Sequence, residues 1–209
     1  MILKCYVKKN KSAFMVTVAI VVALLASLFL ISSGVHAGSY NRDAARDYAN
    51  AWWDNRNQSY PDYGDFDGCT DCTNYVSQVL HEGGYPLNEG SNDIWHWYYY
   101  KRPWYEWKYS ENEWEGSKTW KFTNKLNEYA SQYQGNHFVF QHPSTLTTGD
   151  FFVMDLATNP FEGPDHTRVI VGVENGVPKA NQHCVDRHNV DWNHNVPGNT
   201  PVWGWHVVW

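Results

Sequence analysis

The sequence predicts a single domain of the α+β class, with helices in its first half and antiparallel strands in its second half. Apolar residues recur at the spacing of an α-helix in three segments between residues 40 and 133. From residue 137 onwards, short segments rich in β-branched and aromatic residues alternate with turn signals, which is the pattern of strands. Two of these segments are joined by Asn175-Gly176, a dipeptide that favours the type I′ turn of a β-hairpin.

The first 37 residues differ from the rest and are predicted to direct export. Four lysines lie before an apolar run from Ala13 to Ile31. Val35-His36-Ala37 then forms a cleavage site of the small-x-small type before Gly38. This order is typical of a secretory signal peptide. The apolar run also approaches the length of a membrane span, so an uncleaved N-terminal membrane anchor is the alternative. Both interpretations place residues 38–209 outside the cytoplasm, either secreted or extracytoplasmic and membrane-anchored.

The part that follows this segment is acidic. The whole chain has 16 Lys and Arg residues against 22 Asp and Glu residues. Residues 1–37 contain four lysines and no acidic residue, which leaves twelve basic residues against 22 acidic ones, a net charge of −10. This charge argues against nucleic acid as a partner. The length suits one core without repeats, and we expect a monomer.

Three helices are predicted in the first half. The first spans about Tyr40 to Asn55, and a turn-rich loop follows over Asn57 to Gly68. The second helix carries Cys72 and ends at Gly83-Gly84. An aromatic segment from Asn92 to Trp114 shows no clean period, and the third helix covers about Ser117 to Tyr133.

Five strands are predicted in the second half, at His137–Gln141, Phe151–Asp155, His166–Val173, Pro178–Cys184 and Pro201–Trp209. The third and fourth form the hairpin around Asn175-Gly176, and the last alternates well enough to close the sheet.

Cys72 is the leading candidate for a chemically active residue. It falls in the first turn of the second helix, behind Thr70 or Asp71 as a cap. A thiol at this place faces unpaired backbone N–H groups and the positive end of the helix dipole, which favour the nucleophilic thiolate. The alternative is that Cys72 is a small buried apolar residue.

The cysteine count after export is odd. Cys69, Cys72 and Cys184 remain, so the simplest arrangement is a Cys69–Cys184 disulfide with Cys72 free. A redox-active Cys69–Cys72 pair is a rival and would make the chain a thiol–disulfide protein. Zinc held by the three cysteines and His183 is a weaker alternative, because adjacent His183 and Cys184 would struggle to reach one ion. We therefore predict no metal and no cofactor.

The hairpin places a histidine base near polar side chains. With Asn175-Gly176 as a two-residue loop, strict pairing sets Ile170 opposite Asn181 and Arg168 opposite His183. Asn181 and His183 would then share a face with His166 at the open end of the hairpin. A cysteine nucleophile, a histidine base and a polar group that orients the base form the machinery of cysteine hydrolases.

The chain resembles the putative amidase domain family, a branch of the NlpC/P60-like papain-fold cysteine hydrolases. The most specific element is Asp71-Cys-Thr-Asn-Tyr-Val-Ser-Gln78 followed by Gly83-Gly84. Weaker elements follow in the family's order: Tyr40-Asn-Arg-Asp-Ala-Ala-Arg-Asp-Tyr-Ala49, Ser117-Lys-Thr-Trp120, Gly149-Asp150, Asp165-His166 and Gln182-His183.

The resemblance implies a papain-like fold for residues 38–209 and hydrolysis of an amide bond in a cell-wall (peptidoglycan-like) peptide or a secreted peptide. It implies Cys72 as the nucleophile, His166 as the general base and an acyl-enzyme intermediate. For the third catalytic residue we favour His183 over Asn181 and Gln182. Cys69 and Cys184 depart from the family pattern, which fits an added disulfide beside the site.

The aromatic segment supports a different function. It contains five tryptophans between Trp95 and Trp114, and Trp95, Trp97, Tyr99 and Trp104 are candidates for a substrate-binding surface. A non-catalytic module that binds cell wall or glycan through these rings is therefore the alternative function. The simpler interpretation is that the rings fill a core poor in aliphatic residues.

Overall fold

The structure, a computed structural model, describes residues 39–63, 71–103, 105, 114–156 and 163–209. The N-terminal segment for which we predict a signal peptide or membrane anchor lies outside these residues, as do Cys69 and Trp104. None of the helices within these ranges is long and apolar enough to cross a membrane.

The first helix begins two residues after its predicted start and ends four residues before the predicted Asn55, whereas the second helix ends just before Gly83-Gly84, as predicted. Helix α1 spans Arg42–Ala51, because the Asn41 side chain accepts a hydrogen bond from the Ala44 N–H and so caps its start. Helix α2 spans Asp71–Glu82 and is buried over most of its length. Gly83 and Gly84 follow its last residue, and the φ of Gly84, +88°, is left-handed.

The third predicted helix is two helices. Helix α3 spans Lys118–Lys121 and is capped by Ser117, whose hydroxyl accepts from the Trp120 N–H. Helix α4 spans Thr123–Gln132. Phe122 between them is extended, with φ of −114° and ψ of 128°, so the continuous helix expected across it is wrong.

The strands form two antiparallel sheets. A small sheet pairs β1 (Tyr99–Lys101) with β2 (Trp114–Gly116). The larger sheet has the order β3-β8-β4-β5-β6-β7. Its strands are β3 Phe138–Gln141, β4 Phe151–Met154, β5 His166–Glu174, β6 Val177–Gln182, β7 Arg187–Asp191 and β8 Val202–Val207. The predicted α+β class with an antiparallel sheet is confirmed.

The two faces of the large sheet contribute to two apolar clusters. Phe151, Val153 and Val169 belong to the main core, together with residues of α1, α2 and α4. Phe152 and Ile170, one position along the same strands, belong to a smaller cluster on the other face. Side chains of a strand alternate between faces, so one residue of register decides which cluster a side chain enters.

The β5–β6 hairpin turns where predicted but its register shifts before it reaches the site. Asn175 and Gly176 both have positive φ, and Glu174 pairs with Val177. An irregularity between Ile170 and Gly172 then moves the pairing by one residue, so that Ile170 faces Ala180 and Val169 faces Asn181. The predicted pairing of Ile170 with Asn181, and of Arg168 with His183, is therefore wrong.

A buried carboxylate ties α1 to the sheet. Asp150 is fully buried, and its Oδ1 accepts from Arg42 Nη1 at 2.6 Å and from the Val207 N–H at 3.1 Å. Its Oδ2 accepts from the Thr147 N–H at 2.8 Å and lies 2.9 Å from His206 Nδ1. The Asp150 side chain thus joins α1, β8 and the turn that leads into β4.

Candidate functional site

Cys72 lies at the start of a buried helix, as predicted. It is the second residue of α2, is 2% exposed and carries a free thiol. Its Sγ lies 3.7 Å from Thr73 Oγ1 and 3.7 Å from Thr123 Oγ1, and these two hydroxyl oxygens are 2.7 Å apart. Two hydroxyl groups from different helices therefore surround the sulfur.

His166 lowers the pKa of the Cys72 thiol. It is the first residue of β5 and is 5% exposed. Burial raises the pKa of the Cys72 thiol, but the charge of His166 and its hydrogen bond to the thiol lower that pKa, assisted by hydrogen bonds from Thr123 and Thr73. The net result is a pKa below the ordinary value of a cysteine. The structure therefore brings together the predicted nucleophile and the predicted base.

A cleft of about 400 Å³ opens onto Cys72. Cys72 and Thr73 form one wall, and Lys118 and residues 121–125 of α3, α4 and the break between them form another. Residues 163–165, which lead into β5, complete the lining. Asp165 belongs to this last group, and its Oδ1 accepts from the Leu156 N–H at 3.0 Å.

His183 makes its contacts with the helix start and α1. Its Nδ1 lies 2.5 Å from Asp71 Oδ2 and its Nε2 lies 2.7 Å from the Trp52 carbonyl oxygen. The ring stacks on Tyr75 with a centroid distance of 3.9 Å. Asp71 also faces Arg56, whose Nε is 2.9 Å from Oδ2. His183 thus links the first turn of α2 through Nδ1 to the C-terminal end of α1 through Nε2, and its role as the third catalytic residue stays a prediction.

The other two candidates for the third residue differ in their surroundings. Asn181 Nδ2 donates to the Ala49 carbonyl and to Asn50 Oδ1, and its Oδ1 accepts from the Asn189 N–H. Gln182 Nε2 donates to the carbonyls of Cys184 and Val185. Gln182 Oε1 is buried and has no hydrogen-bond partner within the described ranges. The side-chain oxygen of Gln182 is thus available to accept a hydrogen bond, whereas the side-chain oxygen of Asn181 already accepts one.

The candidates for an aromatic binding surface separate into core and surface. Trp97 is fully buried, and its indole N–H donates to Ser77 Oγ at 3.1 Å, so the prediction that it lies on a binding surface is wrong. It also packs against Trp120, with ring centroids 4.7 Å apart, so Trp97 contacts both α2 and α3. Tyr99 is half-buried and also packs against Trp120. Trp95 is 50% exposed.

The predicted disulfide and the zinc alternative depend partly on Cys69, which lies outside the described residues. Cys184 is not a free thiol, whereas Cys72 is. The Cys69–Cys184 pairing stays a prediction. Within the described ranges, no three His, Cys, Asp or Glu residues are grouped so that they could hold a metal ion.

Thr123 and three lysines line the cleft but are not among the site residues predicted from the sequence. Thr123 opens α4 and reaches Cys72 only because the chain breaks at Phe122. Ser117, which caps a short helix, was a local signal for that break. The sequence places three lysines at helical spacing, as on an ordinary solvent-exposed helix face: Lys118, Lys121 and Lys125. Nothing in residues 118–125 indicates that these lysines lie near Cys72.

Comparison with known proteins identifies the family. Residues 39–206 match the family described as Putative amidase domain, and the chain belongs to that family. Membership indicates hydrolase activity of the amidase type. The chain is also 27% identical over 168 residues to the uncharacterized protein YhbB of Bacillus subtilis (strain 168), a match that covers 76% of this chain and 46% of that relative. The chain thus spans about half the length of the curated relative that it matches. No solved structure matches the chain.

Proposed function

We propose that this chain is an exported, cysteine-dependent amidase or peptidase that cleaves an amide bond of a cell-wall peptide or a secreted peptide. The observation that carries the proposal is the free Cys72 thiol, which lines an open cleft and whose pKa is lowered by His166. A lowered pKa increases the thiolate fraction at neutral pH, and the thiolate is the nucleophile. Family membership supports the same class of reaction.

The reaction has two steps. The Cys72 thiolate attacks the carbonyl carbon of the scissile amide, and the His166 imidazolium gives its proton to the departing amine, which leaves a thioester. His166, now neutral, takes a proton from water as the water attacks the thioester. The carboxylic acid leaves, and the thiolate and imidazolium are restored.

The oxyanion that forms in each step needs hydrogen-bond donors. The Cys72 backbone N–H lies in the first turn of α2, where N–H groups have no partner within the helix. The Thr123 hydroxyl lies 3.7 Å from Cys72 Sγ and is the second donor in this proposal. Both groups are in place before the substrate binds, so that little reorganisation accompanies the reaction.

Gln182, rather than His183, is the group proposed to orient His166. His183 already contacts Asp71 and the Trp52 carbonyl through its two ring nitrogens. Strands β5 and β6 are antiparallel and Asn181 pairs with Val169, so Gln182, the last residue of β6, lies at the end of the hairpin where His166 begins β5. Its buried Oε1 can accept a hydrogen bond from the imidazole.

The arrangement is compatible with a papain-like fold of the NlpC/P60 type. A nucleophile at the start of a buried helix and a histidine on an antiparallel strand are the features that support it. Export rests on the basic and apolar composition of residues 1–37 alone.

Glycan binding is retained as a second candidate because the Trp95 side chain is 50% exposed. Trp95→Ala would abolish binding to cell-wall glycan in that case, whereas Cys72→Ala would leave it unchanged. The hydrolase proposal predicts that Cys72→Ala abolishes amide cleavage.

Labelling with iodoacetamide tests the proposal without knowledge of the substrate. The purified protein, His166→Ala and His188→Ala are treated at pH 7, and modification of the Cys72 peptide is followed by mass spectrometry. His188 is exposed and serves as a matched control. We expect rapid modification of Cys72 in the wild type and His188→Ala, and slow modification in His166→Ala. Equal rates in all three proteins would refute the proposal.

A further inference from the structure

The cleft beside Cys72 is lined with positive charge although the chain is acidic. Three of the eight residues 118–125 are lysines, and Lys118, Lys121 and Lys125 all line the cleft. The whole chain carries a net charge of −6. Charge of this sign next to the nucleophile therefore runs against the overall composition and calls for a local explanation.

Two of the lysines are held by carboxylates. Lys121 Nζ lies 2.7 Å from Glu115 Oε1, and Lys125 Nζ lies 2.7 Å from Glu128 Oε1. Both pairs keep the ammonium groups at fixed positions along the wall and leave part of their donor capacity open, since an ammonium has three N–H groups. These two pairs reduce the local charge but do not reverse it.

Lys118 differs from the other two lysines. It is exposed, and its ammonium forms no ion pair with any of the described residues, although its backbone N–H donates to Asn92 Oδ1. The acidic residue of the lining, Asp165, uses its Oδ1 on the Leu156 N–H. Since Glu115 and Glu128 balance Lys121 and Lys125, Lys118 is the ammonium group of the lining that is available for a ligand.

We infer that the substrate is an anionic peptide that carries a carboxylate close to the scissile amide, and that Lys118 is its main contact. This inference rests on the proposed function, because it assumes that the cleft holds the substrate of Cys72. Phe122, 43% exposed on the same wall, gives the neighbouring part of the substrate an apolar surface. A substrate charge of this sign would be attracted to the site in a protein that otherwise repels anions.

The experiment compares two alkylating reagents that differ in charge. Iodoacetate and iodoacetamide are similar in size, and both transfer their carbon to a thiolate with loss of iodide. The second-order rate constant for iodoacetate at Cys72 is divided by that for iodoacetamide. This ratio is then divided by the same ratio for a free cysteine peptide, and the normalised ratio isolates the effect of the negative charge. A change in the Cys72 pKa affects both reagents equally and therefore cancels.

We expect a normalised ratio well above one in the wild type. Lys118→Gln should lower this ratio about threefold, the effect of one unit charge at ~6 Å in a water-like medium. Lys179→Gln is the matched control, because Lys179 lies in β6 near the hairpin turn and pairs with Asp191. It should leave the ratio unchanged. Salt at about 1 M should bring the wild-type ratio towards one.

The outcome that would overturn the inference is different from the outcome that would overturn the proposed function. A normalised ratio of one in the wild type, with rapid modification by iodoacetamide, would overturn the anionic substrate and leave the cysteine hydrolase intact. Equal ratios in Lys118→Gln and Lys179→Gln would remove the role of Lys118. Failure of both reagents to modify Cys72 would overturn the proposed function and the inference with it.

The carboxylate can belong to a side chain or to a peptide C-terminus. Acetyl-Ala-Glu-Ala-amide carries the first, acetyl-Ala-Gln-Ala the second, and acetyl-Ala-Gln-Ala-amide neither. Protection of Cys72 from iodoacetamide by the first or second peptide identifies the source of the charge. Equal protection by the neutral peptide would contradict the inference.

Discussion

Replacement of His183 by alanine tests whether this residue supports the helix start rather than the catalytic histidine. His183 and Asp71 are each 1% exposed and are 2.5 Å apart, so the substitution removes one member of a buried polar pair. Removal of one partner from such a pair costs about 3–5 kcal/mol of unfolding free energy. Arg56 remains beside Asp71, which places the expected loss near the lower end, at about 3 kcal/mol.

Urea denaturation followed by tryptophan fluorescence measures this loss. His183→Gln keeps one donor and should lose about 1–2 kcal/mol, because one of the two hydrogen bonds is retained. His188→Ala, an exposed control, should lose less than about 0.5 kcal/mol. A loss in His183→Ala no larger than in His188→Ala would refute the argument.

Gln182→Ala should change the pH dependence of Cys72 alkylation more than it changes stability.

Three further predictions concern the framework and the thiol. Asp150→Ala should cost about 3 kcal/mol in urea denaturation, because Arg42 loses its ion pair and the N–H groups of Thr147 and Val207 lose their acceptor. Asp43→Ala, which removes an exposed ion pair with Arg46, should cost less than about 1 kcal/mol, and similar losses in the two variants would contradict this prediction. Gly83→Ala should lower the melting temperature, since a Cβ would come within 2.3 Å of the Tyr40 ring; an unchanged melting temperature would show that the ring moves freely. Thr123→Val should slow alkylation of Cys72 several-fold at pH 7, because one hydrogen bond that lowers the thiol pKa is lost; an unchanged rate would exclude that role.

Features set by local sequence could be predicted. Helix α2 follows from its apolar spacing and ends at the predicted glycines because Gly84 adopts positive φ at little cost. The hairpin turn at Asn175-Gly176 was predictable for the same reason. Cys72 could be identified as a candidate nucleophile because the place of a thiol on a helix start depends on a few adjacent residues.

Features set by tertiary packing could not be predicted in the same way. The register shift in the hairpin moves Asn181 to the face of the main core, and Gly172 within the strand was its single sequence signal. Strand β7 (Arg187–Asp191) was missed because its residues are polar and lie at the edge of the sheet. Whether an aromatic ring such as Trp97 lies in the core depends on what the segment packs against, which its composition does not reveal.

The pH dependence of Cys72 alkylation tests the pairing of thiol and imidazole most directly. In the wild type, His166 lowers the thiol pKa below its ordinary value, so alkylation by iodoacetamide should be rapid at pH 7 and below. In His166→Ala, burial still raises the pKa while the main opposing effect is gone, so the profile should move to higher pH and the rate at pH 7 should fall at least about tenfold. Superimposable profiles for the two proteins would contradict the account.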